Sequence, residues 1–229
     1  MANQPSSDTL VLMLYMMASP IGNLDDLTLR QSNILSCVDF VLAEDTRNSK
    51  KILDKLNIKK ELISFHEHSN ESKLLTIIEM LKAGKSAAYL SDAGTPNISD
   101  PGGKLVEFAL KNDIAVSPIP GPSSLTTLIS VAPFACSNFV FLGYFPKKKG
   151  REKIIEKIKN YDMPVFFFES PYRIKKTLNH LKERLEGYHI LIGRELTKKF
   201  EEIIFCDLNN PGLQNITEKG EFVFALVKI

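Results

Sequence analysis

Little in this sequence would carry it out of the cytosol. The first apolar stretch, Leu10–Ala18, is uncharged, but a bilayer crossing needs about 18 residues or more. No cationic segment precedes it, so it is not a signal peptide, and a first buried strand behind a short polar tail, Met1–Thr9, is expected. The three cysteines, Cys37, Cys136 and Cys206, are scattered and give neither a disulfide framework nor a zinc spacing. Each falls in or beside an apolar segment, so they read as core fillers of a cytoplasmic protein. Internal repeats and low-complexity tracts are lacking. The formal net charge, +2, neither demands nor excludes nucleic acid. The chain has no G-x-G-x-x-G after a strand and no P-loop, which argues against a dinucleotide fingerprint and a Walker-type nucleotide hydrolase.

What is present is ordinary globular material: 229 residues, 44% hydrophobic and 24% charged, enough for two domains of about 100 to 120 residues each. Short β-rich runs alternate with longer helix-period segments. Strands are expected at 13–18, 40–43, 87–91, 114–118, 139–142, 165–169, 189–193, 202–206 and 221–227. Helices are expected at 27–37, 49–56, 71–83, 102–111, 123–130, 151–159 and 172–185. Alternation in the first half indicates a parallel α/β sheet, whereas the last strands lie too close together for crossover helices and indicate a mixed or antiparallel one. The stiff Pro118–Pro122 segment (PIPGP) is followed by one more helix and then by the aperiodic stretch 132–138. The boundary is therefore placed there, giving a first α/β domain over 1–132 and a second over 133–229.

Loops after the carboxyl ends of strands are where an open α/β sheet binds ligands. Ser19–Asp26 (SPIGNLDD) allows a tight turn at Pro20 and Gly22, and read alone it is an ordinary strand-to-helix turn capped by Asp25 or Asp26. Ala43–Lys51 (AEDTRNSKK) puts two carboxylates and an arginine at a strand end. This serves equally as a reactive loop or as a helix start capped by Thr46 or Asn48, with Glu44 and Arg47 as a surface pair. Ser91–Gly103 (SDAGTPNISDPGG) is longer than a turn needs and nearly free of bulk. It suits a loop wrapped around a small ligand, with Asp92 or Asp100 available for a cation or a ribose hydroxyl. Its companion, Pro118–Ser124, offers amides and the Ser123 and Ser124 hydroxyls.

Other clusters are plainer. His66 and His68 would share one face of a strand, but no further ligand stands at a metal spacing, so no metal is expected. Lys147, Lys148, Lys149, Arg151 and Lys153 form a dense basic group around Gly150, which by itself reads as a solvated face. Phe168–Arg173 (FESPYR) and Gly193–Phe200 (GRELTKKF) put charges at strand ends, where Glu169 with Arg173, or Arg194 with Glu195, make salt bridges. Lys219–Glu221 (KGE) reads as a turn.

Taken in order, LYMMASPIGNLDDLTLR, AEDTRNSKKIL, SFHEHSNE, YLSDAGTPNISDPGGKLV, PIPGPSSL, FLGYFPKKKGREK, FFESPYRI, GRELTKKFEE and KGEFVF resemble the ribosomal RNA small-subunit (cytidine-2′-O)-methyltransferases of the tetrapyrrole (corrin/porphyrin) methylase superfamily. The resemblance runs from Leu14 to Val227. It implies a class III methyltransferase of two α/β lobes, a homodimer, with S-adenosyl-L-methionine held between the lobes. The cofactor would be held by Pro20, Ile21, Gly22, Asp92, Gly94, Thr95, Pro96, Gly121, Ser123 and Ser124, with Leu142 and Glu169 closing the far side. Glu44, Asp45 and Arg47 would form the catalytic group, one carboxylate accepting the ribose proton. Ribosomal RNA of the small subunit would lie against Arg47, His66, Lys147, Lys148, Lys149 and Arg151. Many relatives continue past the KGE strand with an extra helical segment, and Asn48 and Tyr172 stand where relatives often carry histidine. Two other readings remain: a methylase acting on a porphyrinoid ring, and a non-catalytic RNA-binding assembly factor.

Overall fold

The computed structural model describes residues 13–147 and 149–228. The polar tail, Lys148 and Ile229 lie outside the described residues. The chain forms two compact units, one ending at Ser123 and the other beginning at Ser124.

The first unit runs β1 (Met13–Met17), α1 (Leu29–Cys37), β2 (Phe40–Ala43), α2 (Thr46–Lys55), β3 (Glu61–Ser64), α3 (Glu71–Lys82), β4 (Ala87–Leu90), α4 (Gly102–Lys111) and β5 (Ala115–Ile119). Its five strands are all parallel, in the order β3-β2-β4-β1-β5. Side chains alternate across the sheet, so each face has its own core. Leu14, Phe40, Leu42 and Tyr89 pack with Leu74, Ile78 and Leu81 of α3 and Leu105 of α4. Met17, Val41 and Leu90 pack on the other face with Leu35 of α1 and Ile52 and Leu53 of α2. Chain connections leave β1 toward β2 and leave β4 toward β5, in opposite directions along the sheet. The carboxyl ends of those two central neighbours are thus the topological switch point of the fold.

Sequence patterning missed β3, whose four residues include only two apolar ones, and which lies at the sheet edge with Glu61 exposed. Edge position also explains Pro118 inside β5, since an edge strand tolerates a missing amide donor. Two local expectations are corrected. The cap of α1 is Thr28, in a reciprocal capping box with Gln31, and neither Asp25 nor Asp26. His66 and His68 lie beyond β3 in the turn before α3, so they share no strand face.

The second unit runs α5 (Ser124–Ile129), β6 (Val140–Tyr144), α6 (Arg151–Lys159), β7 (Val165–Glu169), α7 (Ile174–Lys182), β8 (Tyr188–Arg194), β9 (Glu202–Asp207) and β10 (Phe222–Lys228). Its sheet order is β6-β7-β10-β8-β9, with β6 and β7 parallel and the remaining pairs antiparallel, a mixed sheet. Ile155, Ile158, Leu178 and Leu181 of α6 and α7 cover Phe167, Ile190, Ile192 and Phe224. Sequence reading drew the domain line after residue 132, whereas the units part before α5. That helix packs on β10, and a Cβ added at Gly193 of β8 would stand 2.9 Å from its Leu128. No helix among the described residues is long and apolar enough to cross a membrane.

Candidate active site in the first unit

Four loops of the first unit converge at the carboxyl end of its sheet. Ser19 and Gly94 exchange both backbone hydrogen bonds, each 2.9 Å, which ties the loop after β1 to the loop after β4. Gly94 is in the left-handed region (φ 73°), and a Cβ there would meet Ile21 and the Pro122–Ser123 backbone, so the loop after β5 closes over the same point. The Ser91 hydroxyl donates to the Gly94 carbonyl at 2.8 Å. Gly121 is held more tightly: an added Cβ would lie 2.5 Å from Nε2 of Gln31 and 3.1 Å from Cβ of Ala18. Pro20 and Ile21 are buried within this junction, while Gly22, Asp92, Thr95 and Gly121 are exposed. Ser123 is buried, and Ser124 opens α5 in the second unit.

One participant escaped the sequence reading. Gln31 is fully buried. Its Oε1 accepts from the Thr28 amide at 2.7 Å, and its Nε2 donates to the Ala18 carbonyl at 2.6 Å, so one side chain both starts α1 and fixes the loop after β1. The Thr28-to-Gln31 spacing was the available signal. Ser19, at the head of the first loop expected to hold the cofactor, has its Oγ buried with no hydrogen-bond partner among the described groups, a cost the fold carries unless a ligand answers it.

Asp100 proves structural. Its Oδ1 accepts from the Tyr89 hydroxyl at 3.1 Å and the Gly102 amide at 2.8 Å, and its Oδ2 accepts from the Asn97 amide at 2.7 Å. It therefore staples the long loop to β4 and starts α4, which leaves Asp92 as the exposed carboxylate of this loop. The Asp92 amide in turn donates to Glu44 Oε2 at 3.3 Å, and Asp92 Oδ1 accepts from the Asp45 amide at 3.0 Å. These paired bonds bring the loop after β2 against the loop after β4.

The two carboxylates after β2 are held in opposite states. Partial burial pushes the Glu44 carboxyl above its ordinary value. The negative charges of Asp92, Asp100 and Glu67 add to this, and only the Asp92 amide works against it. Asp45 goes down, to about 2, because the Arg47 side chain and amide bind its charged form. Arg47 makes a fork on Asp45, with Nε at 3.0 Å from Oδ1 and Nη2 at 2.5 Å from Oδ2, while Asp45 also caps α2 through the Arg47 amide at 2.8 Å. Among the described residues the surface pair thus joins Arg47 to Asp45, and Glu44 has no ion pair. Carboxylates driven apart in this way are suited to different tasks, Glu44 to proton transfer and Asp45 to orientation.

Residues 13–211 match the pattern of the Tetrapyrrole (Corrin/Porphyrin) Methylases. The chain belongs to that family. Within it, the chain stands among the ribosomal RNA small-subunit methyltransferase I proteins. The one from Leptospira biflexa is 39% identical over 222 residues, 93% of this chain and 90% of the relative. The one from Thermotoga maritima is 42% identical over 189 residues, 82% of this chain and 85% of the relative. The fold matches that of the Thermus thermophilus uroporphyrin-III C-methyltransferase, solved with S-adenosyl homocysteine. There the TM-score is 0.65 at 17% identity, covering 94% of this chain and 96% of that one.

In the second unit of this methylase several expected contacts turn inward. Leu142 packs into the core beneath β6. Glu169 is buried and its carboxylate is bound by Arg173 at 2.5 Å, the Thr177 hydroxyl at 2.5 Å and the Ser170 amide at 2.7 Å, so it is engaged within the unit. Arg151 is only 7% exposed, with its guanidinium on the Pro146 carbonyl at 2.8 Å and Thr177 Oγ1 at 3.1 Å, and so stands apart from the exposed Lys147 and Lys149. His66 is exposed, its ring edge-on to His68 at 6.2 Å, and among the described residues no group of side chains forms a metal site. Arg194 pairs with Glu202 rather than Glu195. Glu195 instead exchanges backbone and side-chain bonds with Glu221, Lys198 bridging the two, so the GRELTKKF and KGE segments lock together structurally.

Proposed function

We propose that this methylase transfers a methyl group from S-adenosyl-L-methionine to small-subunit ribosomal RNA, at the 2′-hydroxyl of a cytidine ribose. The names of its relatives support the RNA acceptor, and the fold it shares with a homocysteine-bound methyltransferase supports the donor. The observation that carries the reading is the divided carboxylate pair, Glu44 and Asp45, fastened through Asp92 to the loop junction at the switch point.

The first unit's loops fit the donor. Gly94 and Gly121 let the loops after β1, β4 and β5 close on one another without side-chain bulk, and the buried Ser19 hydroxyl is a polar atom awaiting a partner. Pro20, Ile21, Gly94, Gly121 and Ser123 would hold it, with the exposed Asp92 and Thr95 facing its polar groups. Bound there, the donor supplies an electrophilic sulfonium methyl and departs as a neutral thioether, so no metal is required. The protein's task is alignment, which contributes about 7–11 kcal/mol in favourable cases, and removal of the hydroxyl proton. Glu44 takes that proton, because a carboxylate with a raised pKa is a stronger base than an ordinary one. Asp45, kept ionised by Arg47, fixes the loop and orients the ribose. Exposed Lys147 and Lys149 meet phosphates, and Arg47 adds a further phosphate contact on the acceptor side. The protein acts in the cytoplasm as a homodimer, which sedimentation tests.

The deciding experiment incubates radiolabelled donor with small subunits from a strain lacking the gene and maps the labelled nucleoside. Label on the ribose of a cytidine is expected, and Glu44→Gln lowers the rate by about 10²- to 10⁴-fold. Label on a base, or transfer to a porphyrinoid and none to the subunit, overturns the assignment.

A further inference from the structure

The second unit buries more charge than its core needs. Glu169, at the end of β7, has a fully buried side chain, Arg151 and Thr177 are nearly as deep, and the Arg173 side chain is 19% exposed. Apolar residues of similar volume would pack such a site at equal or lower cost, so a buried cluster of this kind asks what else it accomplishes.

Its hydrogen bonds lead to one place. Arg173 donates from Nη1 to the Phe145 carbonyl at 3.0 Å, and Arg151 donates from Nε to the Pro146 carbonyl at 2.8 Å. Glu169 holds Arg173 directly and holds Arg151 through Thr177, whose hydroxyl donates to Glu169 Oε2 at 2.5 Å and accepts from Arg151 Nη2 at 3.1 Å. Phe145 and Pro146 immediately precede Lys147, and Arg151 immediately follows Gly150, which is in the left-handed region at φ 92°. Among the described residues, the last backbone bond on this side of the sheet is from the Phe145 amide to the Phe168 carbonyl at 2.9 Å, and Pro146 has no amide to give. Beyond that point both ends of the lysine segment are fastened by side chains that converge on a single carboxylate. Like charges crowded in one short segment repel and favour an opened chain, and a fixed anchor at each end resists this.

We propose that Glu169, Thr177, Arg151 and Arg173 are positioning residues, a buried clamp that holds Lys147 and Lys149 in the arrangement that docks RNA. This rests on the reading that those lysines meet RNA phosphates, and the test separates the two ideas. Glu169→Gln and Thr177→Val are compared with the parent enzyme, with Thr177→Ser as the conservative rescue. Limited trypsin digestion of the folded protein reports on the clamp without RNA. Cleavage after Lys147 and Lys149 becomes about tenfold faster in the first two variants, as expected when an anchored loop is freed to open locally, and returns to the parent rate in Thr177→Ser. In methylation assays the KM for RNA rises several-fold, the slope of log affinity against log salt falls by about one, and kcat and the donor KM stay near parent values.

Unchanged cleavage removes the clamp. Faster cleavage with unmoved RNA KM and salt slope removes the docking role of the lysines while leaving methyl transfer intact. A donor KM that rises in step with the RNA KM would place Glu169 at the cofactor instead. Should Glu169→Gln fail to fold, Thr177→Val answers the same questions, since it deletes one hydroxyl and keeps the carboxylate.

Discussion

Removing the Asp100 carboxylate tests how the long loop after β4 is built. In Asp100→Ala the Tyr89 hydroxyl, on a residue with no exposed surface, loses its acceptor, and the Asn97 and Gly102 amides lose theirs. An orphaned buried hydroxyl costs about 1–3 kcal/mol, and each amide, able to turn to water, about 0.5–1.5 kcal/mol. The sum is about 2–6 kcal/mol, a large part of the roughly 5–15 kcal/mol that holds a domain together. Tyr89→Phe keeps the ring and its edge-on contact with Phe65 at 6.1 Å while removing the hydroxyl. In that background Asp100→Ala leaves no orphan and costs about 1–2 kcal/mol less, a positive coupling in a double-mutant cycle. The assay is native-state hydrogen exchange on a peptide spanning 87–103, which reads the opening free energy of this unit directly. Strict additivity of the two substitutions would refute the account of Asp100 as the anchor of that loop.

Gly121→Ala drives a methyl into Gln31 and Ala18, and calorimetry will show weakened donor binding together with about 1–3 kcal/mol of lost stability. Asp45 is held below its unfolded value of 3.8, so its contribution to stability is complete above that pH and is lost as pH falls toward about 2. Asp45→Asn therefore lowers stability at neutral pH and flattens the acid end of the profile, as measured by circular dichroism, so that the two proteins converge as pH falls toward about 2. Glu44, held above its ordinary value, acts in the opposite sense: what it contributes is present at low pH and lost as pH rises through its folded pKa. Replacing both Lys147 and Lys149 by alanine lowers the salt slope of RNA binding by about two while sparing donor affinity in calorimetry.

Sequence patterning captured this fold wherever a segment carried its own strong signal. Phe40–Ala43 and Val165–Glu169 are uninterrupted β-rich runs, and Gly102–Lys111 and Arg151–Lys159 have clear helical periodicity. Glu61–Ser64 has only Leu62 and Ile63 to announce it and depends on pairing with β2. At the site, loop composition pointed to the right turns but not to who holds whom. Asp92 and Asp100 look alike in sequence, and only the fold brings the Tyr89 hydroxyl to one and the Asp45 amide to the other. The Glu169–Arg173 salt bridge was legible from the spacing at the end of β7, but nothing in the sequence announces that Glu169 and Arg151 are buried. Their burial follows from residues 145, 173 and 177 meeting in space, which no local pattern encodes.

The placement of β10 affects how the second unit comes into being. It follows every other strand of the unit in chain order, yet it lies in the middle of the sheet, hydrogen-bonded to β7 on one side and β8 on the other. While residues 222–228 are still inside the ribosome, the nascent chain can assemble only two separate ribbons, β6 with β7 and β8 with β9, each presenting an open edge. The unit closes in a single late event, and a transcript cut short before Phe222 leaves a product with two unpaired edges side by side, suited to aggregation or to capture by a chaperone.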